Sequence, residues 1–404
     1  MRLEILPVEF QRGKPLIEAL EKAGFEAYFV GGSVRDVLLG KEIHDVDIAT
    51  SAYPEEVKQI FKRTVDVGIE HGTVLVLFEE EQYEITTFRT ESTYQDYRRP
   101  DEVTFVRSLE EDLKRRDFTI NALAMNCKGE IVDLFQGIAD LEQGLIKAVG
   151  DASERFNEDA LRMMRALRFA SQLGFDIERQ TFEAIMEHHC LLEKISIERI
   201  QIEFVKLMLG NYRQKGLQPF QLSGCYHYCP GFPHKEKELA ALIALPAQRM
   251  TSEAMVWLVT LFCLEISEKD WRGLLSQWKL SNNLIKLVTS SLRGLTHRLH
   301  LPWTAEWLYE LGAEKLILIE NSLVYFGQLP KVEATIQAYE ALTIHSIQEL
   351  AVNGQDLLAA TDRQPGPWVG QLLAEMEQAV INNRLENNQI QLLAYVKEAL
   401  ADKR

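Results

Sequence analysis

Long apolar runs are missing from this chain of 404 residues. A helix that crosses a bilayer needs about 18–20 apolar residues in succession. The best stretch, Ala254 to Leu264, is closed by Glu253 and Glu265 and reads as a buried helix. The opening MRLEILPVEFQRGK carries charges too early for a secretory leader and is expected not to be one. Cysteine is scarce. Cys127, Cys190, Cys225, Cys229 and Cys263 are odd in number and scattered, which excludes a disulfide framework and points to a reducing compartment, by default the cytoplasm. Cys225-x-His227-x-Cys229 looks metal-like but lacks the second ligand pair that a zinc site needs. Internal repeats and low-complexity tracts are absent. Base is also short relative to acid: 44 Lys and Arg stand against 60 Asp and Glu, a net charge of -16. Taken alone, that balance speaks against a nucleic-acid partner, whose footprint is usually basic.

What is present is enough apolar material for a real core, 46% of the residues, so disorder is excluded for most of the chain. The length suggests roughly two to four domains. Up to about residue 150, short runs rich in Val, Ile, Tyr, Phe and Thr predict strands at Ala27–Val30, Val46–Ile48, Thr73–Phe78, Tyr83–Phe88, Val103–Val106 and Ile131–Leu134. Helical stretches at about 14–23, 34–39 and 54–62 interleave with them. Beyond Gly150 nearly everything has helical period. Asp151-Ala-Ser-Glu154 fits a capping box and Gly174 a helix stop, which predicts one helix of about twenty residues between them. The fold class is therefore α+β: a mixed head followed by an elongated all-helical region.

Three segments of the head carry chemistry. Gly31-Gly32 follows a predicted strand and Ser33 opens a helix, a turn in which backbone N–H groups can meet a phosphate, with Arg35 one turn further in. Asp45-Val-Asp47 is the second. On a strand, residues two apart share a face, so the two carboxylates would stand together while Val46 and Ile48 point to the core. Paired carboxylates repel unless a cation lies between them, and hard oxygen ligands suit Mg²⁺. The third is Lys114-Arg115-Arg116-Asp117-Phe118-Thr119-Ile120-Asn121, whose arginines suit a triphosphate.

In this order and spacing, G-G-x-V-R-D-x-L-L-G-x(4)-D-x-D followed by RRDFT, the segments resemble the class II tRNA nucleotidyltransferase and bacterial poly(A) polymerase superfamily. The strong match covers about 25–210. The resemblance implies a polymerase-β-like palm in which Asp45 and Asp47 bind two Mg²⁺ ions, while Gly32, Arg35 and Arg116 hold a nucleoside triphosphate. Palm enzymes often carry a third carboxylate on a neighbouring strand, and Glu84 is the place to look for it. The division implied is 1–150 head, 151–210 helical neck with a nucleotide-selecting helix, 211–345 helical body, and 346–404 helical tail that binds tRNA.

Glu158-Asp159-Ala-Leu-Arg162 lies on the neck helix. Residues three apart are surface neighbours, so Asp159 and Arg162 are expected side by side, with Arg165 and Arg168 continuing the ridge. An acceptor beside a fork of donors suits the pairing edges of cytosine and adenine and refuses guanine and uracil. The sequence is similar to the family motif that selects CTP and ATP in this way. Glu198-Arg199-Ile-Gln-Ile-Glu203 resembles the next family motif and reads as structural, two acids flanking an arginine at helical spacing.

The resemblance implies a CCA-adding activity that extends the 3′ end of tRNA from CTP and ATP and releases pyrophosphate. The segment from Thr90 to Val103 looks like the full-length flexible loop required for the final A, against a CC-adding enzyme. Ala122-Leu-Ala-Met125 after RRDFTIN lacks the bulky aromatics of poly(A) polymerases. The LAVNGQDL (350–357) and PGPWVG (365–370) segments resemble the compact enzymes of low-GC Gram-positive bacteria. Poly(A) polymerase, a partial CC- or A-adding enzyme, and a non-catalytic RNA- or nucleotide-binding module stay as alternatives, and a homodimer stays open.

The negative net charge hides structure. Residues 204–235 and 271–305 contain no acid. In the second stretch Arg272, Lys279, Lys286 and Arg293 recur every seven residues and are candidates to contact RNA phosphates.

Overall fold

The computed structural model describes residues 1–67, 72–91, 103–361 and 363–401. The chain forms two compact units, Met1–Arg249 and Met250–Arg404.

The first unit is built on a seven-stranded mixed sheet in the order β3-β4-β5-β2-β1-β8-β9. Its strands are β1 (Ala27–Val30), β2 (Asp47–Thr50), β3 (Thr64–Asp66), β4 (Thr73–Phe78), β5 (Glu81–Thr87), β8 (Leu123–Met125) and β9 (Ile131–Asp133). A separate pair, β6 (Arg89–Glu91) and β7 (Val103–Phe105), runs antiparallel. The helices in this part are α1 (Val8–Lys22), α2 (Gly32–Leu38), α3 (Pro54–Ile60), α4 (Leu109–Lys114) and α5 (Gly137–Gln143). On one face of the central strands Val30, Ala49 and Ala124 pack with Phe88, Leu109 and Leu113 in one core cluster, while β5 alternates buried and open positions. The pairing within this core positions the chemistry. β1 and β2 are antiparallel with Val30 opposite Asp47. β2 and β5 are parallel with Ile48 beside Ile85. Asp47 and Glu84, each one residue earlier, therefore start out next to one another, beside the glycine turn that follows Val30.

Two sequence expectations change here. β2 begins at Asp47, so Asp45 precedes the strand in an exposed loop and Val46 is only half-buried. The predicted neck helix is two helices, α6 (Ala152–Glu158) and α7 (Leu161–Leu173). Asp159 breaks it with an extended backbone, φ -137 and ψ 102. The expected ends hold. Asp151 caps α6 by accepting from the Glu154 N–H at 3.0 Å, and Gly174 closes α7 at φ 77. Just before α7 the Asp159 carboxylate accepts from the Leu161 N–H at 3.1 Å, a turn contact two residues on, while Ala160 stands at the helix N-cap.

Apart from a short parallel strand pair, Leu145–Ile146 with Asp176–Ile177, the rest of the first unit is helical: α8 (Arg179–His188), α9 (Ile197–Met208), α10 (Arg213–Leu222) and α11 (Glu236–Ala244). α7 is buried along most of its length, packed by α9 and α10. At Gly216 on α10 an added Cβ would stand 2.6 Å from the Leu167 carbonyl oxygen, so only glycine lets the two backbones approach this closely.

The second unit is entirely helical among the described residues: α12 (Glu253–Cys263), α13 (Glu268–Gln277), α14 (Asn282–Arg298), α15 (Ala305–Ser322), α16 (Val332–Glu340), α17 (Gly354–Ala359), α18 (Pro367–Ile381) and α19 (Gln389–Ala401). α12 is the apolar run noted above, its residues from Ala254 to Leu261 all buried. No described helix is long and apolar enough to cross a membrane. Gly312 interrupts α15 at φ 71, the break that separates the helical periods 303–311 and 313–326 in the sequence. The last three helices and the preceding turn close a core of their own around Leu357, Leu372, Met376, Val380, Leu392 and Val396.

Candidate active site

The glycine turn, the aspartates, the RRD segment and α7 all open on one cavity of about 1160 Å³ in the first unit. Gly31 sits at φ 72, a conformation that L side chains rarely adopt. A Cβ there would lie 3.4 Å from Arg116 Nη1 and 3.8 Å from Asp47 Oδ2, so the turn, the arginine and the carboxylate are immediate neighbours. Gly32 begins α2 and lines the same wall.

Asp47 opens to the cavity but is walled in by protein. Its carboxyl is pushed above the usual range first by this desolvation, then by Glu84 and more weakly by Asp45, while Arg116 pulls it down. Three acids thus converge with too little compensating charge, the situation a divalent cation relieves. Among the described residues no three His, Cys, Asp or Glu side chains close into a ready-made cage. Such an open, carboxylate-poor set fits Mg²⁺, which keeps several outside oxygens and is commonly shared with substrate phosphates.

The arginines stand in a graded network. Arg35 grips Asp36 with Nε and Nη2 at 2.9 and 3.0 Å and gives Nη1 to Asn121 Oδ1 at 2.7 Å. Arg115 and Arg116 share the buried Asp112, at 2.7 and 3.1 Å. Burial pushes the Asp112 carboxyl up, but the two guanidiniums outweigh it and hold it below the usual range. Arg116 keeps a buried Nε with no hydrogen-bond partner among the described residues, while its Nη1 stands beside Gly31.

α7 departs from the expected pattern in its pairings. Asp159 is held by Arg199 of α9, with Nη1 to Oδ1 at 3.2 Å and Nη2 to Oδ2 at 2.7 Å. Arg162 gives Nη1 to Glu158 at 2.6 Å and Nη2 to the Arg115 carbonyl at 2.8 Å. The extended backbone at 159 lets its carboxylate reach α9. Arg165 gives Nε to the buried Asp117 at 2.7 Å. Burial would raise the Asp117 carboxyl, but Arg165 and the Asn121 amide bring it down to about 2. Arg168 meets Glu203 at 3.0 Å. Burial lowers the Arg168 guanidinium to about 10, which leaves it charged at neutral pH and in need of that acid. Phe169 is the common platform: the guanidinium carbons of Arg168, Arg35 and Arg165 lie 4.2, 5.2 and 5.5 Å from its ring centre.

Asp45, Asp47, Gly32, Arg35, Arg116, Asp159, Arg162, Arg165 and Arg168 all line the one cavity, and Glu84 does too. Sequence reasoning gives no site role to Arg199, Asp117, Asn121 or Lys206, which line it as well. The first is visible as a family-like motif on α9, but its partners are not the acids of that motif: Arg199 crosses to Asp159, and Glu203 crosses to Arg168. Asp117 and Asn121 lie inside the RRDFTIN segment. Lys206 carries no local signal beyond its place in an acid-free stretch.

The predicted RNA contacts lie in the second unit. Arg272 is exposed on α13, Lys279 sits in the turn after it at φ 61, and Lys286 and Arg293 are exposed on α14. Arg293 is paired with Glu268 at 2.6 Å. Of the basic residues in the other acid-free stretch, Arg213 is spent on the chain itself, donating to the carbonyls of Pro246 and Gln248. The loop expected at residues 90–103 falls largely outside the described residues, at 92–102.

A sheet of this topology with paired acids beside a glycine turn defines a polymerase-type nucleotidyltransferase head, and residues 27–147 match the family model of the poly(A) polymerase head domain. Residues 248–396 match the model of tRNA nucleotidyltransferase domain 2. The chain is 58% identical to a CCA-adding enzyme of Enterococcus faecalis, with 98% of each chain covered. It is 52% identical to one of Lactiplantibacillus plantarum, again over 98% of each. Among solved structures, the Bacillus stearothermophilus CCA-adding enzyme in complex with CTP superposes with a TM-score of 0.92 at 39% identity, covering 98% of this chain and 99% of that one. The chain belongs to the family of CCA-adding enzymes, the compact type of low-GC Gram-positive bacteria.

Proposed function

We propose that this chain adds C, C and A to the 3′ end of tRNA, taking CTP and ATP and releasing pyrophosphate, with the base chosen by protein side chains. The observation that carries the reading is the convergence of Asp45, Asp47, Gly32, Arg116, Asp159 and Arg162 on one cavity. The cavity brings acids and arginines from α2, α7, α9 and the RRD segment together, the mixed charge that a nucleoside triphosphate with a metal needs.

Asp45 and Asp47 would hold the metal, with Glu84 beside them, and two Mg²⁺ ions are the set this reading implies. When bound, such ions make the RNA 3′-hydroxyl a better nucleophile and neutralise the departing pyrophosphate. Arg116 offers its guanidinium, whose Nη1 stands beside Gly31, to the phosphates, while Gly31 and Gly32 give them room against the backbone. Arg35 is anchored at both ends and fixes the floor. Asp159 accepts from the exocyclic amine of cytosine or adenine, and Arg162 donates to the adjacent ring acceptor. Arg199 keeps the Asp159 carboxylate aimed, and Arg165 and Arg168 are held beneath by Asp117 and Glu203. Guanine and uracil present a donor where Arg162 needs an acceptor and are refused.

The finer division into head 1–150, neck 151–210, body 211–345 and tail 346–404 belongs to the same proposal, with tRNA lying on the helical parts. The cytoplasm is the compartment it implies, and a homodimer is compatible with it. A stepwise omission assay tests the reading. With CTP alone, tRNA lacking its tail should grow by two nucleotides. With ATP alone, tRNA already ending in CC should grow by one. Incorporation of UTP or GTP at comparable rates would overturn the template role of α7.

A further inference from the structure

The second unit contains a cavity of about 430 Å³ between the end of α14, the turn that follows it and the start of α16. None of its lining residues is acidic; Arg298, His300 and Lys331 are among them. Arg298 enters already oriented. Its Nε donates to Glu320 at 2.8 Å. Glu320 is fully buried and also accepts from Trp303 Nε1 at 2.7 Å and from the Lys331 backbone N–H at 2.7 Å. Burial pushes the Glu320 carboxyl up, but these three donors more than offset it and keep it ionised. With its Nε so fixed, the two terminal nitrogens of Arg298 make no hydrogen bond among the described residues. They are the donors of a preset fork whose conformational cost has already been met inside the protein. The guanidinium lies 6.0 Å from the Trp303 ring centre, and Leu301, 56% exposed, continues the apolar side of the opening. Ala334, one of the lining residues on α16, is small, which leaves the space open.

A planar fork fixed by a buried carboxylate, with a lysine at the rim and no competing acid, is matched to a phosphate. The indole and leucine beside it favour a phosphate that carries a sugar and base over a bare anion. We propose that this cavity is a second nucleotide site, which grips one phosphate through Arg298 and Lys331 and lays the attached nucleoside against Trp303. The same chemistry is offered by a free nucleotide and by one nucleotide unit of an RNA chain. The site does not depend on the transfer reaction, so it stands or falls apart from it.

The test uses the full chain labelled with 5-fluorotryptophan, the Trp303 resonance being the one lost in Trp303→Phe. The resonance is followed during titration with CMP, with inorganic phosphate and with tRNA. It should shift saturably with CMP or with tRNA. A shift with CMP assigns the site to free nucleotide, and a shift with tRNA alone assigns it to an RNA chain. Ala334→Phe, which fills the space from an exposed helix position, should raise the half-saturation at least tenfold. Arg298→Lys, which keeps a partner for Glu320 but loses the fork, should do the same. No shift with either ligand would overturn the proposal. So would equal affinity for inorganic phosphate, or an unchanged titration in Ala334→Phe.

Discussion

Arg199 of α9 holds both oxygens of Asp159, at 3.2 and 2.7 Å, across forty residues of chain. The acid assigned to read the base is thus positioned from a second helix, while Arg162 is braced separately by Glu158 and the Arg115 carbonyl. Two outcomes separate reading from positioning. Asp159→Ala should cost about 1–3 kcal/mol of discrimination between CTP and UTP, the worth of a good base-edge contact, with smaller loss of transfer. Arg199→Gln should weaken discrimination in the same direction and by less, because the carboxylate survives but loses its aim. Single-turnover rates with each nucleotide check both. Loss of all transfer with selection intact in Asp159→Ala would contradict the assignment.

Asp47 carries a stability cost that its function requires. Its carboxyl is raised by burial, Glu84 and Asp45. An acid whose folded pKa lies above its unfolded one destabilises the charged form, so the penalty sets in as pH rises from the ordinary aspartate range and is complete above the raised value. At pH 7 without metal, Asp47→Asn should therefore raise the melting temperature while abolishing transfer. Mg²⁺ should stabilise the unaltered chain more than this variant. Below the ordinary aspartate range the difference between the two proteins should vanish. Thermal unfolding across pH, with and without Mg²⁺, measures all three.

Asp117 behaves in the opposite way. Held down to about 2 by Arg165 and Asn121 against the pull of burial, it lends stability that is present above the ordinary aspartate range and is lost as pH falls toward 2. Asp117→Asn leaves the half-buried Arg165 without its acid and should cost about 1.5–3 kcal/mol, the worth of a hydrogen bond to a charged partner. Denaturant unfolding at pH 7 checks the magnitude, and a loss below about 1 kcal/mol would show that Arg165 finds another partner.

On the second unit, Lys279 and Lys286 enter no ion pair among the described residues, whereas Arg293 is engaged with Glu268. Replacing both lysines by Gln should weaken tRNA binding and lower the slope of log affinity against log salt by about one for each phosphate that is no longer neutralised. Affinity for CTP should not change. Arg293→Gln should act more weakly. Filter binding at several salt concentrations decides it, and an unaltered slope would place the tRNA elsewhere.

The sequence makes some of this site readable and hides the rest for physical reasons. The glycine turn, Asp45 and Asp47, and the RRD segment are local, since each needs only its neighbours in the chain to take its shape. The split of the neck helix is not visible, because Ala160 to Leu173 has unbroken helical period and Asp159 is as good a cap as it is a surface residue. The pairings that depend on it, Asp159 with Arg199 and Arg168 with Glu203, join segments 35 or more residues apart. Glu84 can be named as a place to look, but its neighbourhood with Asp47 is created by the parallel pairing of β2 and β5, which no local pattern specifies. The mixed head and helical remainder are legible from periodicity, as is the break at Gly312. The three-residue strands β3, β6 and β8 escape it, whereas β7 and β9, equally short, are found.

The most direct test of the central claim is to incubate the protein and Mg²⁺ with tRNA lacking its tail, supply CTP and ATP together, and determine product length and 3′ sequence by mass spectrometry. Products three nucleotides longer that end in CCA and then stop are the predicted result. An open-ended ladder of A would contradict it.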